Sequence, residues 1–349
     1  MATYVYVAAQ DDNKVSIFTM DEASGALTLA GEQPVSGGPS LLAISPDRRT
    51  LYAGHREEPE ISSYRIDQDT GGLTQTGSVI PPGQPAFLAT DRTGRFLLSS
   101  YYADGKAAVH PLGDDGSVGG APTSVVNTAV GAHAMQTDRS NRFAYVPHIA
   151  RQNDNVLEPP KNIPAPNVIY QFRFDESTGV LTHSDPPVLT QDDFIGPRHF
   201  TFHPTLDVVC FSNEQGCSVS AYRMDDAGRL TALQTVSTLP EGVTERNTCS
   251  QIQFSPDGSL LFVPNRGHNS IASFSVGGDG RLTPAGHVAT EAVPSAFSLD
   301  PSGRFVYAAG SATGQLASYS INGDTGELTP LGAYAVGARP MWVLTTTLG

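Results

Sequence analysis

Ser45-Pro46-Asp47-Arg48-Arg49-Thr50-Leu51-Tyr52 is a polar turn running straight into an apolar stretch, and the phrase recurs along the whole chain. Its first residue returns at Asp91, Asp138, His203, Ser255 and Asp300, with SPDGSLLFV (255–263) and DPSGRFVYA (300–308) the clearest copies. A second phrase interleaves with it: an alternating strand, a glycine turn and a Leu-Thr, as in VSIFTMDEASGALT from Val15 to Thr28. Aligned on Phe18, it recurs at Tyr64, Phe172, Tyr222, Phe274 and Tyr319, with a weak copy around His110. Successive turn markers stand 46, 47, 65, 52 and 45 residues apart. That spacing suits one four-stranded blade per repeat, with insertions in some blades. A meander of this size cannot bury both faces alone, so the units must stack, here radially.

The pattern predicts an all-β chain forming a seven-bladed β-propeller, four antiparallel strands to a blade. Six markers are internal, and Tyr4-Val5-Tyr6-Val7-Ala8 supplies a seventh strand with no marker before it. Arg339-Pro340-Met341-Trp342-Val343-Leu344 reads as the innermost strand that this first blade lacks. The N- and C-terminal strands then meet in one blade, closing the ring and removing a free sheet edge. Residues 1–349 are expected to form a single domain, with residues 148–167 inserted as a loop over the channel mouth.

Composition agrees. The 349 residues include 35 Gly and 26 Pro, suited to a chain of many tight turns. No apolar run approaches the roughly 18–20 residues that span a bilayer, so no membrane partner is expected. MATYVYV lacks a basic segment and a cleavage site, so no secretory signal is visible. Three cysteines, Cys210, Cys217 and Cys249, cannot all pair within the chain; free thiols in a reducing cytoplasm are expected. A net charge of −14 argues against nucleic acid or an anionic membrane as partner.

The repeat register also works as a map of the site. Innermost strands line a propeller's channel, and each begins beside the end of its blade's second strand, at one mouth. Five residues before the markers stand Ser40, Ala86, His133, Arg198, Ser250 and Ser295, with Met341 for the closing blade. Eleven residues after them stand Arg56, Tyr102, Ile149, Glu214, Arg266 and Ser311. In a chain only 16% charged, this mouth collects His133, Arg198, Glu214, Arg56 and Arg266, with Tyr101, Tyr102, His148, His199 and Asn213 beside them. Mutual neutralisation explains part of the cluster. Three arginines with one carboxylate leave surplus positive charge, which points to an anionic substrate.

Longer segments carry a resemblance: YAGHREEPEISSYRI (52–66), GAHAMQTDRSNRFAYVP (131–147), GPRHFTFHP (196–204), SNEQ (212–215), PNRGHNSIASFSV (264–276) and YAVGARPMWV (334–343). Together they resemble the cytoplasmic lactonase family of seven-bladed propellers, which takes in bacterial propeller-type 6-phosphogluconolactonase and fungal carboxymuconate cyclase. GPRHFTFHP and RPMWV are specific; the Ser-Pro-Asp turns alone are not. The resemblance implies a site of histidine, arginine, glutamate and a further arginine, falling on His133, Arg198, Glu214 and Arg266. Two departures stand out. Bacterial members tend to read Pro-Arg-Gly-Phe where this chain has Pro294-Ser295-Ala296-Phe297, so the mouth has lost a guanidinium of the kind that grips phosphate, though Arg56 remains. The proline-bearing segment 148–167 stretches one repeat and is expected to narrow substrate choice.

The expectation is metal-independent hydrolysis of a sugar-acid lactone, 6-phosphogluconolactonase-like, with a non-phosphorylated aldonolactone as a further possible substrate. His133, with an ordinary pKa of about 6.5, would take a proton from water. Arg198 would hold the developing oxyanion. Glu214 would orient that guanidinium or act as acid or base itself. Arg56, Tyr102, His148, Asn213, Arg266 and Ser295 are the candidate substrate-binding residues. No cofactor is expected, and no metal: there is no His-Glu-x-x-His, no Cys-x-x-Cys, and one clear carboxylate among arginines is a poor cation cage. The alternative is a cycloisomerase acting on a carboxymuconate-type diacid through the same pocket. A third reading, a docking propeller, would spread unusual residues over the blade tops. His203 is expected to serve a turn, His199 to point away from the channel by strand alternation, and Trp342 to pack in the ring closure.

Overall fold

The computed structural model describes residues 1–152 and 156–349 and is built from strands and turns. Seven four-stranded antiparallel sheets form the blades of a ring. Blade 1 pairs Pro340–Leu348 with Ala2–Ala9, followed outward by Lys14–Met20 and Leu27–Pro34. The chain ends therefore share one sheet, with Tyr6 opposite Leu344 and Val7 opposite Val343. Blades 2, 3, 5 and 7 begin at the channel with Pro39–Ile44, Pro85–Thr90, Pro197–Phe202 and Pro294–Leu299. In blades 4 and 6 the inner strands are short, Gln136–Thr137 and Gln253–Phe254. A separate two-stranded ribbon, Arg151–Gln152 with Ile163–Pro164, rises from the 148–167 insertion.

The two sequence phrases each have a structural duty. The marker residue caps the hairpin between the first two strands of its blade. Asp91, Asp138 and Asp300 accept the backbone N–H of Phe96, Phe143 and Phe305 at 2.7–2.9 Å. Ser45 and Ser255 do the same with a hydroxyl. His203 accepts the N–H of Thr205 and Leu206 through Nδ1, the turn duty expected of it. The glycine turn serves the preceding blade. Tyr6, Tyr52, Tyr145 and Tyr307 donate their hydroxyls to the carbonyls of Gly71, Gly116, Gly228 and Gly25.

Packing follows from these duties. Each second strand is buried on both faces, so it reads as a continuous apolar run rather than an alternation. The buried side chains collect into seven clusters, one at each junction between neighbouring blades. Truncating a fully buried aromatic such as Phe211 or Phe262 would cost about 3–5 kcal/mol. Trp342 lies on the closing strand, as expected, but its ring also meets Phe87 of blade 3 and His199 of blade 5, at 5.6 and 6.0 Å between centroids. It therefore plugs the channel as well as closing the ring. No helix is long and apolar enough to cross a membrane among the described residues.

Candidate active site

One irregularity, repeated around the ring, builds the mouth. The inner strands of blades 2, 3, 5, 7 and 1 each start on a proline, Pro39, Pro85, Pro197, Pro294 and Pro340. The residue after each proline has no partner on the adjacent strand: Ser40, Ala86, Arg198, Ser295 and Met341 are β-bulge residues. Proline cannot donate to the ladder, and a bulge re-aims the side chain of its extra residue. Blade 4 places His133 equivalently, between the isolated Ala132–His148 bridge and Gln136. One more hydrogen bond fixes the facing position. The first residue after the second strand donates its N–H to the carbonyl two residues ahead of the bulge: Arg56 to Gly38, Glu214 to Gly196, Arg266 to Thr248, Ser311 to Val293.

The resulting cavity, of about 970 Å³, is lined by His133, Arg198, Glu214, Arg266, Arg56, Tyr102, Ser295 and Ser311, with Ala86 and Met341. Of the positions read from the repeats, Ser40, Ile149 and Ser250 turn away into the protein. Ser40 bonds Gln10 and Ser250 bonds the Pro294 carbonyl.

Glu214 is the bracket of the site. Its Oε1 accepts from Arg266 Nη2, and its Oε2 lies 3.2 Å from Arg198 Nε, an ion pair by distance that is not aligned as a hydrogen bond. Arg266 also donates to the Cys249 carbonyl at 3.0 Å. Two guanidiniums share one carboxylate in a nearly dry setting, Arg198 and Glu214 being only 8% and 6% exposed. Burial, then the neighbouring Arg266, pushes Arg198 down to about 9, with Glu214 pulling the other way. Arg56, half-buried, has no carboxylate partner among the described residues and is pushed down to about 10 by desolvation, Arg339 and Arg266.

His133 sits against Tyr102 and His199, its ring centroid 5.7 and 5.1 Å from theirs, both edge-on. Desolvation first, and then Arg198, His199 and Arg56, hold its pKa well below the ordinary 6.5. The imidazole is therefore neutral at physiological pH, and a weaker base than an unperturbed histidine. Several polar atoms here are buried without a hydrogen-bond partner: His133 Nδ1, Arg198 Nε and Nη1, His199 Nε2, Arg266 Nε and the acceptor Glu214 Oε2. Buried polar atoms are seldom left so. A cluster of them around one cavity is what an oxyanion-rich ligand satisfies.

Three expectations need correction. His148 is fully buried between blades; its Nδ1 donates to the Val146 carbonyl, its Nε2 accepts the Ala129 N–H, and burial lowers its pKa to about 4. Asn213 is equally buried and donates to Ser218 and Ser220 at 2.9 and 2.8 Å, tying strands within blade 5. Both end a second strand; after Asn213 the next side chain, Glu214, is the one aimed at the mouth, whereas after His148 the next, Ile149, is buried as well. His199 was expected to face away, yet the bulge at Arg198 breaks the alternation and turns it inward beneath His133. Neither His148 nor Asn213 lines the cavity.

Other lining residues were missed. Arg339, Asp11 and Gln84 line the cavity, as do Leu157 and Glu158 of the 148–167 insertion. Arg246 donates to the Glu158 carbonyl, holding that part of the loop against the blade 5–6 connection. Residues 153–155 of the insertion lie outside the described residues. Arg339 had a signal: it occupies, in the closing blade, the same place two residues ahead of the bulge that Gly38 and Gly196 hold in theirs. Among the described residues no group of three His, Cys, Asp or Glu is arranged to hold a metal ion.

A seven-bladed ring with a buried imidazole and bracketed guanidiniums at one mouth makes this a propeller with a cavity suited to an anionic ligand. The chain belongs to the seven-bladed β-propeller lactonase family, whose model matches residues 4–345. It is 34% identical to a 6-phosphogluconolactonase of Pectobacterium carotovorum over 98% of both chains, and 33% identical to one of Klebsiella pneumoniae over 99% of both. In three dimensions it resembles a periplasmic gluconolactonase of Pseudomonas aeruginosa, with TM-score 0.88, 22% identity and full coverage of both chains. The cycloisomerase alternative is not favoured, since these relatives carry lactonase names.

Proposed function

We propose that this chain hydrolyses 6-phosphoglucono-δ-lactone, or an aldonolactone closely related to it, in the pocket at the propeller mouth. Relatives named 6-phosphogluconolactonase that match it end to end support the substrate class. The observation that carries the site assignment is the convergence of His133, Arg198, Glu214 and Arg266 on one buried cavity.

In this reading the lactone carbonyl lies against Arg198, whose unbonded Nη1 stabilises the oxygen as it becomes an oxyanion. Glu214 acts as a positioning residue, with both oxygens committed to the two guanidiniums. That leaves His133 as the base. It takes a proton from the water whose oxygen forms the new bond to the carbonyl carbon. When the tetrahedral intermediate collapses, the ring C–O bond breaks and the imidazolium returns that proton to the leaving ring oxygen. The product is the open-chain acid, which ionises. A histidine of low pKa suits the second step, because its conjugate acid is a strong proton donor. Tyr102 packs the imidazole, Arg266 steadies the Glu214 carboxylate, and Arg56 faces the anionic substituent. Leu157 and Glu158, which overhang the pocket, narrow the choice of lactone.

The test is hydrolysis above the spontaneous rate, by wild type and Arg198→Ala, of 6-phosphoglucono-δ-lactone and glucono-δ-lactone. Loss of one charged donor to the oxyanion is expected to lower kcat by about 10²–10³ on whichever lactone the wild type turns over. No wild-type acceleration of either lactone would defeat the proposal.

A further inference from the structure

We infer that Arg339, together with Arg56, forms a phosphate clamp on the side of the mouth away from the Arg198–Glu214–Arg266 bracket, making Arg339 a specificity-determining residue. The inference rests on the lactonase reading above and adds to it the group that distinguishes a phosphorylated lactone from a plain one.

Arg339 lies on blade 1 and Arg56 on the neighbouring blade 2, and both line the catalytic cavity. Gln10 bridges the two blades at this point. Its N–H donates to the Arg339 carbonyl at 3.1 Å, while its side chain bonds Ser40 and reaches Glu57, the residue after Arg56. Burial first, and then the charges of Arg339 and Arg266, lower the basicity of Arg56. Two cations that line one cavity with no carboxylate shared between them are a receptor for an anion, and paired guanidinium forks suit a phosphate dianion. Arg56 has no carboxylate partner among the described residues. Arg339 has only Asp11, at 3.7 Å with both side chains about half exposed, a contact too weak to compete with phosphate.

Backbone conformation gives independent support. Arg339 has φ +51°, in the left-handed region that disfavours any residue with a Cβ. Gly38 and Gly196 fill the corresponding place ahead of Pro39 and Pro197, with φ of +71° and +66°, and Val293 does so ahead of Pro294 with φ +57°. Arg339 and Val293 thus keep a Cβ in a strained conformation at the cavity, and strain of this kind gathers at functional sites. Opposite it across the junction with blade 7 stands Ser295, a bulge position that carries no charge here. The clamp thus supplies from blade 1 the positive charge absent from blade 7. In the substrate, the phosphate is separated from the reacting carbonyl by the ring oxygen, C5 and C6. A phosphate on blades 1 and 2 therefore leaves the carbonyl free to face blades 4 to 6.

Glycine at two equivalent places makes Arg339→Gly a variant the fold accommodates. With 6-phosphoglucono-δ-lactone its kcat/KM should fall about tenfold or more, mainly through KM, while glucono-δ-lactone turnover stays within about twofold. Arg339→Lys should restore part of the loss, and Asp11→Asn should lower KM for the phosphorylated lactone. Titration of 6-phosphogluconate and gluconate into wild type and Arg339→Gly reads the clamp without turnover; only 6-phosphogluconate affinity should drop. Equal losses on both lactones, or no loss on the phosphorylated one, would overturn the clamp while leaving lactone hydrolysis standing. Arg339-dependent binding of 6-phosphogluconate by a chain that opens neither lactone would keep the clamp and remove the hydrolysis.

Discussion

At the residue scale, the site is a set of charges that stabilise one another incompletely. Glu214 neutralises one of the two guanidiniums it touches, and the remainder is held ready for a substrate that brings its own negative charge. The state of His133 follows from the same surplus. An imidazole buried beside Arg198 and Arg56 resists protonation, so its neutral form persists to acid pH. The acid limb of kcat/KM is accordingly expected below pH 6.5, because the free enzyme must accept a proton there before it loses its base. A pH profile on a lactone of pH-independent charge measures this directly; a limb at or above 6.5 would mean that His133 is not the group that titrates. The sequence showed which residues gather here but not how basic they are. Basicity depends on depth and on neighbours from three other blades, and neither is written in a linear spacing.

At the scale of the element, the bulge and the glycine turn carry most of the information. Equal offsets from each turn marker located His133, Arg198, Glu214, Arg266 and Arg56 because most blades repeat the proline and bulge, and blades that lack them keep the same backbone hydrogen bond, as Arg266 to Thr248. Simple alternation failed for His199 for the same reason, since one extra residue inverts the side on which the next one falls. Asn213 was misread by a single residue at the end of a strand, while in the blade of His148 the following residue, Ile149, is buried too. Arg339 was overlooked because the offset used was that of the bulge, not of the residue two places ahead. The glycine turns can be tested by substitution. Gly71 has φ +69°, and a Cβ there would stand 2.5 Å from the Tyr4 ring, while its carbonyl accepts Tyr6. Gly71→Ala should therefore lower stability by about 2 kcal/mol or more. Denaturant unfolding checks it, and a change under about 0.5 kcal/mol would show that the blade 1–2 junction does not depend on this contact.

For the whole molecule, the ring was legible from the spacing of two phrases because a propeller has nearly one-dimensional order: each blade contacts its neighbours and little else. The plug was not legible. Trp342, Phe87 and His199 meet across the channel from three separate blades, a contact no local pattern encodes. Burial of histidines throughout the ring gives the protein a pH dependence with a definite sign. Desolvation lowers His110 and His148 to about 4 from an unfolded value near 6.5. Below pH 6.5 the unfolded chain binds protons that the folded one refuses, so stability is full above that pH and declines toward pH 4. At pH 5 each of these two histidines should cost about 2 kcal/mol relative to pH 7. Urea denaturation at the two pH values reads the loss, and equal or greater stability at pH 5 would contradict these burial assignments.

The account stands most directly on one comparison: the catalysed opening of 6-phosphoglucono-δ-lactone, followed by proton release in a pH-stat, for wild type and His133→Ala. The expected result is hydrolysis well above the spontaneous rate for the wild type and a loss of about 10²–10⁴ in kcat for a variant that remains folded. A folded His133→Ala that opens the lactone at the wild-type rate would show that the chemistry lies elsewhere.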